Sequence, residues 1–144
     1  MNVERAPHCT YRIRYHMVFV MKYRKRLLSE PIVESLQLLL KAISERYYFR
    51  IDAVGTDGDH LHLLIGAAPR YAPSRVMQIV KSITAKETFK AFPEIRKILY
   101  GGEFWSDGGH IDTVGDGRGL EQIRKYVEQQ GSKEDLAQLK LIEF

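Results

Sequence analysis

The sequence predicts an α+β fold in which helices cover one face of an antiparallel sheet. Segments rich in β-branched and aromatic residues alternate with segments whose apolar residues recur at helical spacing. An Asp57-Gly58 pair between two of the predicted strands favours a tight antiparallel hairpin. The 144 residues include one cysteine and show no internal repeat, so we expect a single domain over residues 1–144 without a disulfide.

The order of the predicted elements specifies the arrangement of the sheet. Ser29 is a suitable N-cap for the first helix, and Pro73 suits the first turn of the second. In chain order we predict a strand over residues 11–21, a helix over 29–47, strands over 49–56 and 60–65, a helix over 73–91, a connector with Trp105 over 94–108, a strand over 110–114, a last helix over 120–130 and a polar tail over 132–144. This β-α-β-β-α-β order with one added helix is the ferredoxin-like, split βαβ arrangement.

The strand HLHLLI carries two histidines on one of its faces. Because side chains alternate along a strand, His60 and His62 point away from the core side chains of Leu61 and Leu63. Two imidazoles at such positions can converge on one metal ion or one phosphate. A pair of half-exposed strand histidines without a ligand is the structural alternative, and these residues alone leave both interpretations open.

The last helix, LEQIRKYVEQQ, places a phenol and a carboxamide on one edge. Leu120, Ile123 and Val127 form the inward apolar stripe of this helix. Tyr126 and Gln130 are four residues apart and lie on the Ile123 edge of the stripe. If this stripe packs on the open face of the sheet, both side chains can reach His60 and His62. Two imidazoles and an amide oxygen suit Mg²⁺ or Mn²⁺, and tyrosine is a usable nucleophile. An interfacial aromatic residue and a solvated helix end are the structural alternatives.

Basic residues cluster along the chain, which carries a net charge of +4. The segment Lys22-Tyr23-Arg24-Lys25-Arg26 surrounds one aromatic ring with four cations, and the second predicted helix is also basic. Cations bind phosphates and rings stack on bases, so this pattern suits single-stranded nucleic acid. A solvated surface with surplus lysine is the structural alternative. If the partner is a nucleic acid, the residues expected to contact its backbone are Lys22, Arg24, Lys25, Arg26, Arg75, Lys81 and Lys86.

HLH matches the HUH motif, in which U is a hydrophobic residue, and YVEQQ matches the motif Tyr-x-x-x-Gln. With YHMVFVMKYRKRLL, GTDGDHLHLLI and FWSDGGHIDTVG, these motifs resemble the TnpA-type single-strand DNA transposases of the smallest insertion sequences. These are HUH endonucleases with one catalytic tyrosine. The resemblance covers residues from about 11 to 130. HUH alone is a weak motif, but HUH followed by a helical Tyr-x-x-x-Gln in a chain of this size is specific.

The resemblance implies a metal-dependent enzyme and a role for each motif residue. His60, His62 and Gln130 would bind Mg²⁺ or Mn²⁺, and Tyr126 would attack the scissile phosphate of single-stranded DNA. The products would be a 5′-phosphotyrosine and a free 3′-hydroxyl, which allows later rejoining. The resemblance also implies recognition of DNA hairpins at the ends of the element and a homodimer. A movable hinge for the tyrosine helix would lie at Gly115, Gly117 and Gly119.

Other interpretations stay open. A non-catalytic ferredoxin-like module could bind nucleic acid. Against it, no RNP1-like run is present, and the open face carries histidines where RNA-recognition domains carry aromatic side chains that stack on bases. A domesticated relative would cut chromosomal palindromes with the same residues. A metal-dependent small-molecule enzyme is least favoured, because nothing marks a substrate pocket. For His8, His16 and His110 we expect structural roles, with His16 placed to neighbour the site.

The sequence also argues against two classes of partner. GDGRG lacks the spacing of a dinucleotide-binding loop, and no Walker lysine follows it, so no nucleotide cofactor is expected. No apolar run approaches the roughly 18 residues that a membrane span needs, and the N-terminus has no apolar signal region. We therefore expect a soluble, cytoplasmic protein.

Overall fold

The computed structural model describes residues 3–115 and 118–129, without the side chains of 118–120. The predictions for Gly117, Gln130 and the 132–144 tail lie outside these residues. In the described part, the strands are β1 (Glu4–Ala6), β2 (Cys9–Tyr11), β3 (Tyr15–Val20), β4 (Arg50–Thr56), β5 (His60–Gly66) and β6 (His110–Thr113), and the helices are α1 (Glu30–Tyr47), α2 (Pro73–Ala91), α3 (Pro93–Ile98) and α4 (Arg118–Gln129). None of these helices is long and apolar enough to cross a membrane.

The main sheet has four antiparallel strands in the order β4-β5-β3-β6. This order is the ferredoxin-like arrangement that the element order predicts, so the predicted fold class is confirmed. Across the central pair, Val18 lies opposite His62 and His16 lies opposite Leu64. His16, on β3, and the two histidines of β5 therefore share one face of the sheet.

The other face of the sheet carries the main core. Leu61, Leu63 and Ile65 are fully buried there, as the alternation of side chains predicts. Each large aliphatic side chain contributes about 1.5–3 kcal/mol when it is fully buried. Helices α1 and α2 cover this face with apolar residues at helical spacing, namely Ile32, Leu36, Leu40, Ile43, Val76, Ile79 and Val80.

Helix α4 packs on the opposite face, where the histidines lie. Ile123, Tyr126 and Val127 form a second buried cluster with Ala53, Leu64 and Val114. This confirms the inward stripe that the sequence predicts for Ile123 and Val127. The sheet is therefore covered on both faces, and α4 brings its tyrosine to the histidine face.

Two elements differ from the sequence prediction. The predicted strand over residues 11–21 is shorter, Tyr15–Val20, because the residues before it form a separate hairpin in which β1 pairs with β2. The predicted connector over 94–108 begins with helix α3, which starts at a proline and buries Ile95; Leu99, the residue after the helix, is buried one turn later. In both cases, strand pairing or packing with residues elsewhere in the chain determines which residues form the element.

Arg14 is a buried cation that joins three segments of the chain. Its Nε donates to Asp52 Oδ2 at 2.5 Å, and its Nη2 donates to Glu4 Oε1 at 3.0 Å. Its Nη1 donates to the carbonyl of Ile13 at 2.8 Å. A β-carbon at Gly66 would collide with this guanidinium, so glycine is needed where β5 ends. The arginine thus fixes the small hairpin to strand β4.

Replacing Arg14 with methionine should destabilise the fold, because it removes the buried cation between Glu4 and Asp52 and leaves only the more exposed Arg50 to pair with them. We expect the free energy of unfolding to fall by about 2 kcal/mol, since hydrogen bonds to charged groups contribute about 1.5–3 kcal/mol. Chemical denaturation measures this change. The control Arg5→Met replaces an exposed arginine of β1 and should leave stability close to that of the wild type. Equal stability of the two variants would contradict a structural role for Arg14.

Candidate active site

Tyr126 lies at the centre of the histidine face, where α4 packs on the sheet. Its side chain is buried, with 8% of the residue exposed. Its ring meets the ring of His62 edge-on, with centroids 5.5 Å apart, and the ring of His16 edge-on at 6.3 Å. Residues from three separate elements, α4, β5 and β3, therefore meet at one point within a single chain.

His62 and His16 form a buried pair of stacked imidazoles. Their ring planes are 13° apart, and His16 Nε2 lies 3.2 Å from His62 Nδ1, within hydrogen-bond distance. Burial lowers the pKa of His62 to about 3 and the pKa of His16 to about 4. Both imidazoles are therefore neutral near pH 7, and the neutral imidazole is the form that binds a metal ion.

His60 is the more exposed histidine of the HLH motif, with 22% of its side chain accessible. Its Nδ1 lies 2.5 Å from Oδ1 of Asp59, the residue before it in the chain. Asp59 also pairs with two arginines of the basic segment, at 3.7 Å from Arg24 Nε and 3.8 Å from Arg26 Nη1. One carboxylate therefore links His60 to the basic segment.

The two histidines of the motif are close enough to share a metal ion. With bonds of about 2.1 Å from ring nitrogen to metal, two imidazoles on one ion have centroids at most about 6.5 Å apart. The centroids of His60 and His62 are 6.2 Å apart, within this limit, so the separation of the rings permits both to reach one Mg²⁺ or Mn²⁺ ion. No group of three His, Cys, Asp or Glu side chains able to hold a metal occurs within the described residues. The third predicted ligand, Gln130, lies outside them.

The basic segment lies beside His60 as a short 3₁₀ turn over Lys22–Arg24. Tyr23 and Tyr100 are exposed, at 58% and 80%, and their rings meet edge-on at 6.1 Å. The Nζ of Lys22 lies 5.7 Å from the Tyr23 ring centroid. Arg24, Lys25 and Arg26 are exposed. The segment therefore offers cations and aromatic rings together next to the histidines.

The cations of α2 are placed differently, because α2 covers the face of the sheet opposite His60 and His62. Arg75 and Lys86 are exposed there. Lys81 is half-buried, and its Nζ donates to the carbonyls of Ser106 at 2.9 Å and Gly108 at 2.8 Å. Burial lowers the pKa of this ammonium group. Lys81 thus holds the segment that leads into β6, and its ammonium group is directed at backbone carbonyls.

Of the predicted hinge, Gly115 is exposed, with open space where a side chain would extend. Gly119 lies in the first turn of α4. The role of these glycines as a hinge stays a prediction.

Comparison with known proteins gives the family of the chain. The family model described as IS200-like transposase matches residues 9–130. This chain belongs to the IS200-like transposase family. The ISDra2 transposase TnpA of Deinococcus radiodurans is 31% identical to it over 134 residues, which cover 93% of this chain and 95% of that protein. The transposase for insertion sequence element IS200 of Salmonella typhimurium is 26% identical over 123 residues, which cover 85% and 80%.

Solved structures agree with this assignment. A putative transposase from Deinococcus radiodurans superposes with a TM-score of 0.71 at 26% identity, covering 90% of this chain and 98% of that one. A REP-associated tyrosine transposase bound to a REP hairpin superposes with a TM-score of 0.53 at 14% identity, covering 80% and 63%. At that identity the second likeness concerns the fold alone. The resemblance seen in the motifs is confirmed at the level of the family.

Two residues of this candidate site were not assigned to it from the sequence. Asp59 received no role, and His16 was expected to be structural. For Asp59 the available signal was its place directly before the HLH motif, where a neighbouring carboxylate can reach the ring. For His16 the signal was its position on the first strand, but only the register of β3 with β5 places it beside His62.

Proposed function

We propose that this chain is a transposase that nicks and rejoins single-stranded DNA at the ends of an insertion sequence, with Tyr126 as nucleophile. The observation that supports this most is the contact of Tyr126 with His62 of the HLH motif, at 5.5 Å between ring centroids. A buried tyrosine beside neutral imidazoles, in a member of the IS200-like transposase family, has the groups that phosphoryl transfer needs.

The proposed reaction exchanges one phosphoester for another. The phenolic oxygen of Tyr126 loses its proton and bonds to the scissile phosphorus, while the bond from phosphorus to the 3′ oxygen breaks. The 3′ oxygen takes up a proton and leaves as a hydroxyl, and the 5′ phosphate stays on the tyrosine. Because the ester bond is conserved, a 3′-hydroxyl can later attack the phosphotyrosine and rejoin the strand.

The metal site of this proposal consists of His60 and His62, with Gln130 as the third protein ligand. When bound, Mg²⁺ or Mn²⁺ would neutralise charge on the phosphate and polarise it for attack. Three observations support this site: the imidazole of His62 is neutral, the imidazole of His60 is accessible, and the centroids of the two rings are 6.2 Å apart. The amide oxygen of Gln130 adds a donor of the type that these hard cations prefer.

The proposed DNA surface is the basic segment beside His60. Lys22, Arg24, Lys25 and Arg26 would bind the backbone, and the exposed rings of Tyr23 and Tyr100 would stack on unpaired bases. A structural neighbour is bound to a REP hairpin, and we propose that this chain also binds hairpin DNA and acts as a homodimer. Arg75 and Lys86 can contribute only if the DNA reaches the opposite face of the sheet.

The variant Lys25→Gln/Arg26→Gln tests this surface. Each lost phosphate contact should lower the slope of log Kd against log salt by about 1, so we expect a decrease of about 2 and weaker hairpin binding. Fluorescence anisotropy with a labelled hairpin measures both quantities. Lys41→Gln, an exposed lysine on α1 across the sheet, is the matched control and should bind like the wild type. An unchanged slope in the double variant would remove the basic segment from the proposed interface.

A denaturing gel tests the proposed reaction. The wild-type chain is incubated with single-stranded DNA that carries the end hairpin of the element, in Mg²⁺, in Mn²⁺ and in EDTA. We expect a covalent protein–DNA adduct and a new 3′-hydroxyl end in the presence of either metal, and neither product in EDTA. Binding without an adduct in any metal would favour the non-catalytic nucleic-acid-binding alternative.

A further inference from the structure

We propose that Asp59 and His16 are positioning residues that fix the tautomers of His60 and His62, so that both present an Nε2 lone pair to the metal. This inference rests on the proposed function, because it assigns the surroundings of the same metal site. Neither residue belongs to the ligand set predicted above. Each contacts the Nδ1 atom of one histidine of the HLH motif.

Asp59 determines the tautomer of His60. Oδ1 of Asp59 lies 2.5 Å from Nδ1 of His60, and a carboxylate can only accept a hydrogen bond. Nδ1 must therefore carry the hydrogen. In the neutral form of the ring, which has one N–H and is the form that binds a metal, Nε2 then keeps the lone pair. Arg24 lies 3.7 Å from Oδ2 and Arg26 lies 3.8 Å from Oδ1 of the same carboxylate, and these two cations help to hold it in place.

His16 fixes the tautomer of His62 through a hydrogen bond between two imidazole nitrogens. A single hydrogen bond joins His16 Nε2 to His62 Nδ1, so one of these nitrogens donates and the other accepts. If His16 donates, the hydrogen of His62 is on Nε2, and His62 cannot bind a metal. If His16 accepts, His62 carries its hydrogen on Nδ1 and its Nε2 is free. We assign the second arrangement, in which the hydrogen of His16 is on its own Nδ1.

The geometry makes this contact rigid. His16 is fully buried and lies on the central strand β3, paired on both sides by β5 and β6. Its ring is nearly parallel to that of His62, at 13°. A partner that cannot rotate away holds both the tautomer and the orientation of the ligand it contacts. Removing such a partner lowers metal affinity by about 10- to 100-fold in known sites.

Two variants and two matched controls test the inference. Asp59→Asn can donate to Nδ1 of His60, and His16→Leu removes the acceptor for His62 while keeping an apolar, buried side chain. Asp57→Asn changes a carboxylate of the same turn that pairs with Arg26. His8→Leu changes an exposed histidine in the turn of the small hairpin. Thermal unfolding of all four variants shows that each is folded before its metal affinity is compared.

The first readout is the tautomer itself, measured on the metal-free full chain by long-range ¹H–¹⁵N NMR at neutral pH. We expect the Nδ1–H form for both His60 and His62 in the wild type. The second readout is Mn²⁺ affinity by calorimetry. We expect Asp59→Asn and His16→Leu to bind Mn²⁺ about 10- to 100-fold more weakly and the two controls to bind like the wild type.

The outcomes separate this inference from the proposed function. A dominant Nε2–H form at His60 or His62, or wild-type Mn²⁺ affinity in both Asp59→Asn and His16→Leu, would overturn the positioning roles while the metal site and the nuclease reaction stand. A wild-type chain that binds no Mn²⁺ at all would instead overturn the metal site, and the positioning roles with it.

Discussion

Replacing Tyr126 with phenylalanine is expected to abolish strand cleavage and adduct formation while leaving hairpin binding unchanged. The substitution removes one oxygen atom, the proposed nucleophile, and keeps the ring that packs against Ile123, Val127 and the two histidines. Loss of a nucleophile lowers the rate by about 10⁴-fold or more. Single-turnover cleavage of labelled hairpin DNA measures the rate, and anisotropy measures the binding.

Tyr48→Phe is the matched control for that experiment. It also removes one phenolic oxygen, but from an exposed ring at the end of α1, outside the proposed DNA surface, and it should cleave at the wild-type rate. An adduct that persists in Tyr126→Phe would keep the reaction class and move the nucleophile to another residue.

His60→Ala is expected to have the second-largest effect, because it removes one of the two proposed metal ligands that lie within the described residues. A bound cation contributes several kcal/mol of charge stabilisation, and losing about 4 kcal/mol slows the reaction about 1,000-fold. The side chain is partly exposed, so its truncation should not unfold the chain. Cleavage by this variant should be as slow in Mn²⁺ as wild-type cleavage in EDTA.

His8→Ala serves as the control for His60→Ala, since His8 is an exposed histidine in the turn of the small hairpin. It should cleave like the wild type and keep its dependence on metal. Metal-dependent cleavage at the wild-type rate by His60→Ala would show that the HLH motif does not hold the metal.

Much of the fold could be predicted from local pattern. The alternation of Leu61 and Leu63 with His60 and His62 fixed which face of β5 joins the core, and the structure confirms it. The helical spacing of Ile123 and Val127 predicted the buried stripe of α4. In both cases the period of the apolar residues matches the period of the element, so no long-range information is needed.

The features that the sequence did not reveal depend on contacts between distant residues. Arg14 joins Asp52, 38 positions away, and this ion pair is invisible to local pattern. His16 meets His62 across 46 positions, through the register of β3 with β5. Lys81 looked like one more cation of a basic helix, but its ammonium group is directed at backbone carbonyls more than 20 residues away.

The location of the basic residues on the folded chain also depends on contacts between distant residues. Composition and clustering favoured both Lys22–Arg26 and the cations of α2 as DNA contacts. Only the topology separates them, because it places the first group beside His60 and the second on the opposite face of the sheet. Charge patterning therefore predicts the class of partner better than it predicts the surface that binds it.

The measurement that tests the central claim most directly is mass spectrometry of the covalent protein–DNA adduct after nuclease and trypsin digestion. Trypsin should release residues 126–133, YVEQQGSK, which contain one tyrosine, so the modified residue is identified without ambiguity. We expect a nucleotide joined through its 5′ phosphate to Tyr126. A nucleotide on any of the other tyrosines, or joined through a 3′ phosphate, would contradict the proposed mechanism.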